Sequence, residues 1–527
     1  MKLIVKNIKA SLNDEVDYLK FSVAKKLKIS TDEILSFKII KESIDARKKS
    51  RIHLVYNVMI EIASKRKDIF TDNDVRQIEE NDECILSKGN IKLKHRPIVI
   101  GSGPAGLFAG LTLAENGYNP IIIERGQKVD ERARIVKRYW EDGCLDLECN
   151  VQFGEGGAGT FSDGKLTTRI NDRRCHKIIQ DLYKSGAPED ILYKAKPHIG
   201  TDILRDVVIN LRKRIESMGG EFRFGTKLTS INITNNKLKS IFLNYDTELP
   251  CEALVLAIGH SARDTYKALL DNGLNFERKP FSVGVRIEHP CELINKAQYG
   301  TYAEHPRLGA AEYQLFHKTK ERTAYTFCMC PGGVVVASAS EHDTIVTNGM
   351  SERKRDKANS NSAWVVSVEP SDFSGDHPLA GLEFQRNLEM LAFKNGGSNN
   401  GAPIQRLGDF LNNTRTIRLG KVKPSYTGRV SLSDINLFLP DFIRDTLKQS
   451  ISYFDSKLKG FGMDDALLTA VETRTSSPIR ILRNENFEAL GVKGLYPAGE
   501  GAGYAGGIVS AAVDGVRVGE QIVKTFC

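Results

Sequence analysis

PIVIGSGPAGLFAGLTLAENGYNPIIIERG, residues 97–126, limits the fold more than any other stretch. Pro97 to Ile100 read as a short apolar strand. Gly101, Gly103 and Gly106 follow as G-x-G-x-x-G, with Pro104 and Ala105 opening a helix between them. Apolar residues recur at helical spacing to Asn116, and Gly117 suits the left-handed position after a helix end. Ile121 to Ile123 read as a second buried strand, ending in Glu124. Gly101 permits the tight turn, Gly103 lets backbone approach a pyrophosphate, and Gly106 lets the helix pack closely on the sheet. The helix amino terminus then faces the phosphates, and Glu124 stands where ribose hydroxyls are bound. A glycine triplet alone is weak evidence. With a strand before it, a helix after it and an acid about 20 residues on, it predicts a dinucleotide-binding α/β domain.

The other end of the chain decides which dinucleotide. GLYPAGEGAGYAGGIVSAAVDGVRVGEQIV, from Gly494, is a short strand, a glycine-rich turn and a helix with small residues. It resembles the carboxyl-terminal segment of glutathione-reductase-like flavoproteins. That resemblance makes Gly499, Glu500 and the helix opening at Gly507 and Ile508 contacts of FAD, with the helix dipole stabilising an anionic reduced flavin. CEALVLAIGH, residues 251–260, is similar to the middle FAD motif of the same fold, and places Ala257 and Gly259 at the cofactor. Residues 227–250 read as a three-strand meander turning at Asn235-Asn236, with Leu228 on the cofactor side. Only one G-x-G-x-x-G sits in a strand–helix–strand unit ending in an acid, so FAD is expected to be held tightly but non-covalently. NAD(P)H would then be met only as a transient electron donor.

NVQFGEGGAGTFSDGKLTTRI, residues 150–170, is too glycine-rich for a stable helix or strand and suits a backbone wrapped around a ligand. With it the chain resembles a broad bacterial family of FAD-dependent oxidoreductases, the "NAD(FAD)-utilising dehydrogenases". KPHIGTD (196–202), FSVGVRIEHP (281–290), FCMCPGG (327–333), NGMS (348–351), APIQRLGDFL (402–411) and TRTSSPIRI (473–481) carry the same resemblance. It implies cofactor contacts at Arg125 and Arg132, and at Gly159, Thr160, Ser162, Gly164, Lys165 and Leu166. It implies a glutathione-reductase-like Rossmann domain over 95–275 and 476–527, interrupted by a mixed-sheet substrate domain over 276–475. A small organic substrate would bind at the interface of the two. Arg355, Asn359 and Asn361 fall in a polar segment read as a loop. Arg415, Arg418, Lys421 and Lys423 hint at an anionic ligand or form a solvated basic face.

Residues 1–94 read as a separate ferredoxin-like α/β module. LIVKNIKA is a strand, VDYLKFSVAKKLKI an amphipathic helix, and ILSFKIIKESIDA and IHLVYNVMIEI are further strands. TDNDVRQIEEN reads as a helix capped by Thr71 or Asp72. Its lysines suit a solvated face better than RNA, because no RNP-like aromatic pair is visible. A flavin-dependent RNA-modifying enzyme and a redox sensor without turnover are the alternatives. The net charge of +9 over 527 residues permits anionic ligands without implying nucleic acid. No apolar leader and no run of ~18 apolar residues is present, so a cytoplasmic protein without a membrane span is expected. Nothing in the sequence speaks to oligomeric state.

Nine cysteines, with no C-x-x-C among them, favour free thiols and no metal site. Cys328 and Cys330 stand apart. In a regular strand their side chains share a face. They read as packing beside the Pro-Gly-Gly loop, or as a redox pair whose strained C-x-C disulfide is easily reduced. His260, His198 and His289 are candidate proton carriers.

Overall fold

The computed structural model describes residues 1–63, 73–78 and 86–527. The chain is mixed α/β. Its nucleotide sheet has five parallel strands in the spatial order Leu495–Pro497, Leu254–Leu256, Ile98–Ile100, Ile121–Ile123 and Glu221–Arg223. The three inner strands are buried on both faces, which is why they read as unbroken apolar triplets instead of alternating. The first and last cofactor motifs are over 390 residues apart in sequence yet separated in the sheet by one strand, Leu254–Leu256.

Two helices, Pro104–Glu115 and Ile508–Thr525, pack on this sheet and on each other. Glycine sets their distance. A Cβ on Gly515 would lie 2.0 Å from the carbonyl oxygen of Ala105, and one on Gly106 would lie 1.8 Å from that of Gly101. The start of the first helix therefore lies against the middle of the second. The meander Leu228–Thr234, Lys237–Leu243 and Thr247–Pro250 is antiparallel, and Asn235 and Asn236 both take positive φ in its first turn.

The second large sheet has seven strands: Phe316–Lys318, Thr323–Cys330, Asn359–Val368, Phe281–Pro290, Leu467–Glu472, Ala402–Arg406 and Val430–Leu432. It is antiparallel except for its last pair. Asn359 and Asn361 correct an expectation, because they are not in a loop. They begin a ten-residue strand paired throughout with Phe281–Pro290, and both are buried. Each is held across the sheet: Asn359 donates to Glu288 at 2.9 Å, and Asn361 Oδ1 accepts from Arg286 at 2.8 Å while its buried Nδ2 has no partner. Arg415, Arg418, Lys421 and Lys423 lie between Leu411 and Val430 outside any helix or strand, with Arg415 donating to the carbonyl of Leu432.

At the amino terminus, Ile34–Asp45, His53–Ile62, Lys2–Ala10 and Val75–Gln77 form an antiparallel sheet in that order, with the helix Val16–Leu27 against it. Val75–Gln77 is a strand paired with Leu3–Val5, so the predicted helix over this stretch is corrected. A main-chain partner outweighed its weak helical periodicity. The suggested caps Thr71 and Asp72 lie outside the described residues. The apolar core of this module runs without a break into that of the seven-stranded sheet. Arg307 adds polar ties, donating to the carbonyls of Leu12 and Asp14 and to the Tyr56 hydroxyl. Among the described residues no helix is long and apolar enough to cross a membrane.

Because the two helices touch at a glycine, Gly515→Ala is expected to force them apart at a cost of about 1–3 kcal/mol. A lowered urea midpoint with an unchanged slope checks this. An unchanged midpoint shows that the contact does not set the packing.

Candidate active site at the carboxyl ends of the parallel sheet

Four segments distant in sequence meet at one end of the nucleotide sheet. Gly101, at φ 93°, turns the chain from Ile98–Ile100 into the first helix. A Cβ added to Gly103 would meet nothing nearer than the Cα of Gly157 at 3.8 Å, so the backbone there faces open space. Gly499 lies against Ala105, and Gly159 lies against Ile508. Gly501 packs on Gly259, and the Tyr266 hydroxyl donates to both of their carbonyls, at 2.7 and 2.9 Å. A Cβ added to Gly259 or Gly506 would have nothing within 4 Å. The result is a trough of bare backbone with the exposed start of an 18-residue helix at one end and no acid in that helix's first turn. These are the features a flavin dinucleotide needs, so the residues present fit FAD.

The acids and bases around the trough divide into those free for a ligand and those already engaged. Glu124 is buried and accepts from four donors of the chain: Ser102 N at 2.9 Å, Ser102 Oγ at 2.8 Å, Gly126 N at 3.0 Å and Gly154 N at 2.9 Å. It fastens the glycine-rich loop to the first turn, a task its sequence position did not reveal. Arg132 is a correction. It is fully buried, and its guanidinium donates to the carbonyls of Asn150, Val151, Gly154, Glu155 and Gly157. It shapes the loop from within instead of reaching the cofactor. Burial lowers it to about 10, still charged at neutral pH. Arg125 sits over the Phe153 ring and forks onto Asp264 at 2.9 Å. It lines a cavity of about 280 Å³ with Gln127, Glu148, Lys227, Asn244 and Tyr245. Leu228, Leu166 and Ala257 are buried.

The glycine-rich loop continues from the trough to the seven-stranded sheet. Thr160 donates to Glu155 O and Ser162 to Gly159 O, while the Gly164 amide donates to Ser162. Lys165 pairs with buried Asp163 at 2.6 Å. Asp163 also holds Arg355 and accepts from Ser351 at 2.7 Å. Against the burial that would raise it, Lys165 and Arg355 keep this carboxyl well below the usual range. Arg355 also reaches Glu312 at 2.9 Å.

Among the histidines, His260 remains a candidate. Its Nδ1 lies 3.3 Å from Glu500 Oε1, and its buried Nε2 has no partner. Burial lowers His198 and His289 to about 4, His198 also through Arg355. Both are therefore neutral near pH 7. His289 bonds the carbonyl of Phe461 at 2.7 Å and tilts over its ring, a core role. Cys328 and Cys330 do not lie on a regular strand. The ladder shifts register between Phe327 and Cys330, and Cys328 has φ 42°. Among the described residues no group of three or more His, Cys, Asp or Glu side chains is placed to hold a metal.

Sequence reading missed several residues. Tyr266 was one, since its role depends on two loops from opposite ends of the chain. Arg286 and Glu472, fully buried and 3.1 Å apart, were another pair. A charge inside the apolar strand VGVRIEHP was the signal available for it. Arg205 lies over Phe161, and its Nε is without a partner. Glu389, fully buried, accepts from Arg263 at 2.8 Å, Arg474 at 3.0 Å and Thr473 at 2.7 Å.

Residues 96–133 match the FAD binding domain family, and residues 280–475 match the family of FAD-dependent protein, C-terminal domain-like. Residues 2–61 match a domain of unknown function. These findings define an FAD-dependent flavoprotein, with FAD as its cofactor. An uncharacterized protein of Clostridium beijerinckii is 50% identical over 531 residues, covering 100% of this chain and 99% of the relative. The chain belongs to the same family as that protein. Solved structures similar to it include a geranylgeranyl bacteriochlorophyll reductase-like protein from Thermoplasma acidophilum. It is 13% identical, with a TM-score of 0.34, over 80% of this chain and 77% of that one. They also include the flavin-dependent brominase Bmp2, 12% identical with a TM-score of 0.37, over 81% and 79%. Likeness at this level says nothing about chemistry.

Glu389 yields a prediction for the seam between the two sheets. Against burial, Arg263 and Arg474 hold its carboxyl at about 2, below the ordinary 4.5. A depressed carboxylate stabilises the fold above the unfolded value and loses that contribution as pH falls. Stability is expected to fall between about pH 4.5 and pH 2. Glu389→Gln should cost about 3–5 kcal/mol at pH 7, because two buried guanidinium groups lose their anion. Urea midpoints of both proteins from pH 7 to pH 3 test this, with the gap expected to narrow at low pH.

Proposed function

We propose that this chain is an FAD-dependent oxidoreductase. It would transfer a hydride between non-covalently held flavin and a small organic substrate at the junction of the nucleotide sheet and the seven-stranded sheet. The observation that carries this reading is the convergence of Gly103, Gly259 and Gly506–Gly507, from three distant segments, on one trough beside a free helix amino terminus.

The chain's own residues have separable roles. Gly103, Ala105 and Gly106 present main-chain donors and the first helix start to the pyrophosphate, while Gly101 makes the turn and Pro104, which has no N–H to give, sets the first helical φ. Glu124 fastens the glycine-rich loop and keeps its carboxylate at the end of the second strand, where a ribose is bound. The cavity lined by Arg125 and Tyr245 has the size and position for the adenosine end. Gly499, Glu500, Gly507 and Ile508 serve the flavin end, and the helix dipole favours negative charge there. Flavin supplies the hydride chemistry when bound. His260, held by Glu500, is the group placed to take or give a proton at its unpartnered Nε2. Gly159, Thr160, Ser162, Gly164 and Lys165 form the wall between cofactor and substrate. NAD(P)H is the proposed electron donor, met transiently, since a second dinucleotide fingerprint is missing from the sequence.

Two measurements test the reading. Gly103→Val fills the open face of the trough and should give a folded, colourless protein. Yellow protein of normal flavin content would overturn the cradle. In anaerobic stopped flow, the flavin band near ~450 nm should bleach with NADH or NADPH. If neither bleaches it while dithionite does, nicotinamide is not the donor.

A further inference from the structure

Arg286, Glu472, Cys328 and Cys330 form a buried cluster that the cofactor trough does not use. The left-handed backbone at Cys328 is uncommon for a residue with a side chain. It turns the end of the strand so that Cys330 Sγ lies 3.4 Å from the Cys328 carbonyl oxygen. Arg286 Nη2 donates to that oxygen at 2.6 Å and lies 3.4 Å from Cys330 Sγ. Its Nη1 pairs with Glu472, whose second oxygen accepts from Thr347 at 3.2 Å. Strain of this kind persists where the surroundings over-determine it, and such positions cluster at working sites. Cys330 is fully buried, whereas Cys328 keeps partial access.

We propose that Cys328 and Cys330 are a redox-active dithiol that reduces a small-molecule disulfide, with Cys328 attacking and Cys330 resolving. The electrostatics agree with this assignment. The hydrogen bond from Cys330 lowers the Cys328 thiol to about 6, with Arg286 and Lys165 adding to it and Asp163 opposing. The same bond, together with burial, raises Cys330, so the inner thiol keeps its proton. The charge on Asp163 raises Cys330 further, Arg286 opposes it, and Tyr313 nearby is itself raised by burial and stays neutral. Burial, with the charge on Cys328 adding to it, lifts Glu472 to about 7 against Arg286.

The chemistry balances within the cluster and its substrate. The Cys328 thiolate attacks one substrate sulfur, the substrate S–S bond breaks, and half of the substrate leaves as a thiolate. Cys330 gives up its proton and attacks the Cys328 sulfur of the mixed disulfide. The Cys328–Cys330 bond forms and the second half of the substrate leaves. The pair loses two electrons and one proton. The substrate gains the two electrons and departs as two thiols, one proton coming from solvent. Return to the dithiol takes two electrons, for which the reduced flavin of the proposed oxidoreductase is the donor. That return alone rests on the proposed function.

The test uses the full-length, flavin-loaded protein with an aromatic disulfide, dithiobis-nitrobenzoate, followed by peptide mass mapping. The wild-type peptide holding both cysteines should lose two hydrogens and carry no adduct. Cys330→Ser should retain one adduct on Cys328, and Cys328→Ser should leave Cys330 unreacted. A retained flavin band shows that each variant is folded. The proposal fails if this peptide stays unmodified while exposed Cys144 and Cys527 react. It fails equally if wild type keeps two separate adducts. Photoreduction of the bound flavin after disulfide formation then reads the return step. Recovered thiols support it. A persistent disulfide beside bleached flavin overturns the flavin link and leaves the dithiol assignment standing.

Discussion

Glu389 is the charge that holds the two sheets in register. Arg263 comes from the helix that follows the Gly259–His260 turn, Arg474 from just beyond a strand of the seven-stranded sheet, and Glu389 from the helix Ala380–Asn395 packed on that sheet. Three elements thus share one buried anion, supported by Thr473, by Gln385 and by the Arg474 contact with Ser340. A pair of isolated ions here would cost more in desolvation than it returned. One carboxylate between two guanidinium groups, with its oxygens further hydrogen-bonded, is the arrangement that offsets the cost. Apolar packing crosses the same boundary, with Leu379 and Leu382 joining the cluster of the nucleotide sheet and Val336 packing with Val136, Val151 and Phe161, so the seam is held by charge and apolar contact together.

The trough depends on a different constraint, the removal of side chains. Gly101, Gly103, Gly157, Gly259 and Gly499 come from four segments. All but Gly103 take a positive φ, which favours glycine, and around Gly103 and Gly259 the space is open. Arg132 gives the glycine-rich loop a rigid interior by binding five carbonyls that would otherwise need water. Packing glycine against glycine would leave a soft loop. A guanidinium core and Glu124 make it a fixed wall.

Much of this was legible because the nucleotide fold writes its demands into short, local patterns. The strand–turn–helix at 97–116, the meander with its Asn235-Asn236 turn and the small-residue helix at the carboxyl end all appear where periodicity places them. What escaped was polarity satisfied at long range. Asn359 and Asn361 look like loop residues until Glu288 and Arg286 are brought beside them by a ten-residue ladder. Arg132 reads as a cofactor contact because nothing local reveals that five carbonyls surround it. Val75–Gln77 looked helical because its strand partner lies about 70 residues away. In each case the deciding group belongs to a segment that a linear reading does not see.

A buried ion pair also ties two strands of the seven-stranded sheet, Arg286 on Phe281–Pro290 and Glu472 on Leu467–Glu472. Arg286 lies on the strand face of Ser282, Gly284 and Glu288, fully buried, and a well-packed apolar side chain there would cost the fold less. Its retention with Glu472 therefore asks for a reason other than stability. The guanidinium reaches the Cys328 carbonyl and lies beside the Cys330 sulfur, so it both steadies a left-handed backbone and supplies positive potential to a thiol pair. Neither task can be done by an aliphatic residue, and lysine lacks the fork that reaches Glu472 and Cys328 at once. The glycine at 349, whose Cβ would collide with that guanidinium, completes the arrangement by leaving it room. The charge, the strained cysteine and the bare glycine are three departures from ordinary strand chemistry within one cluster, and a working dithiol accounts for all three.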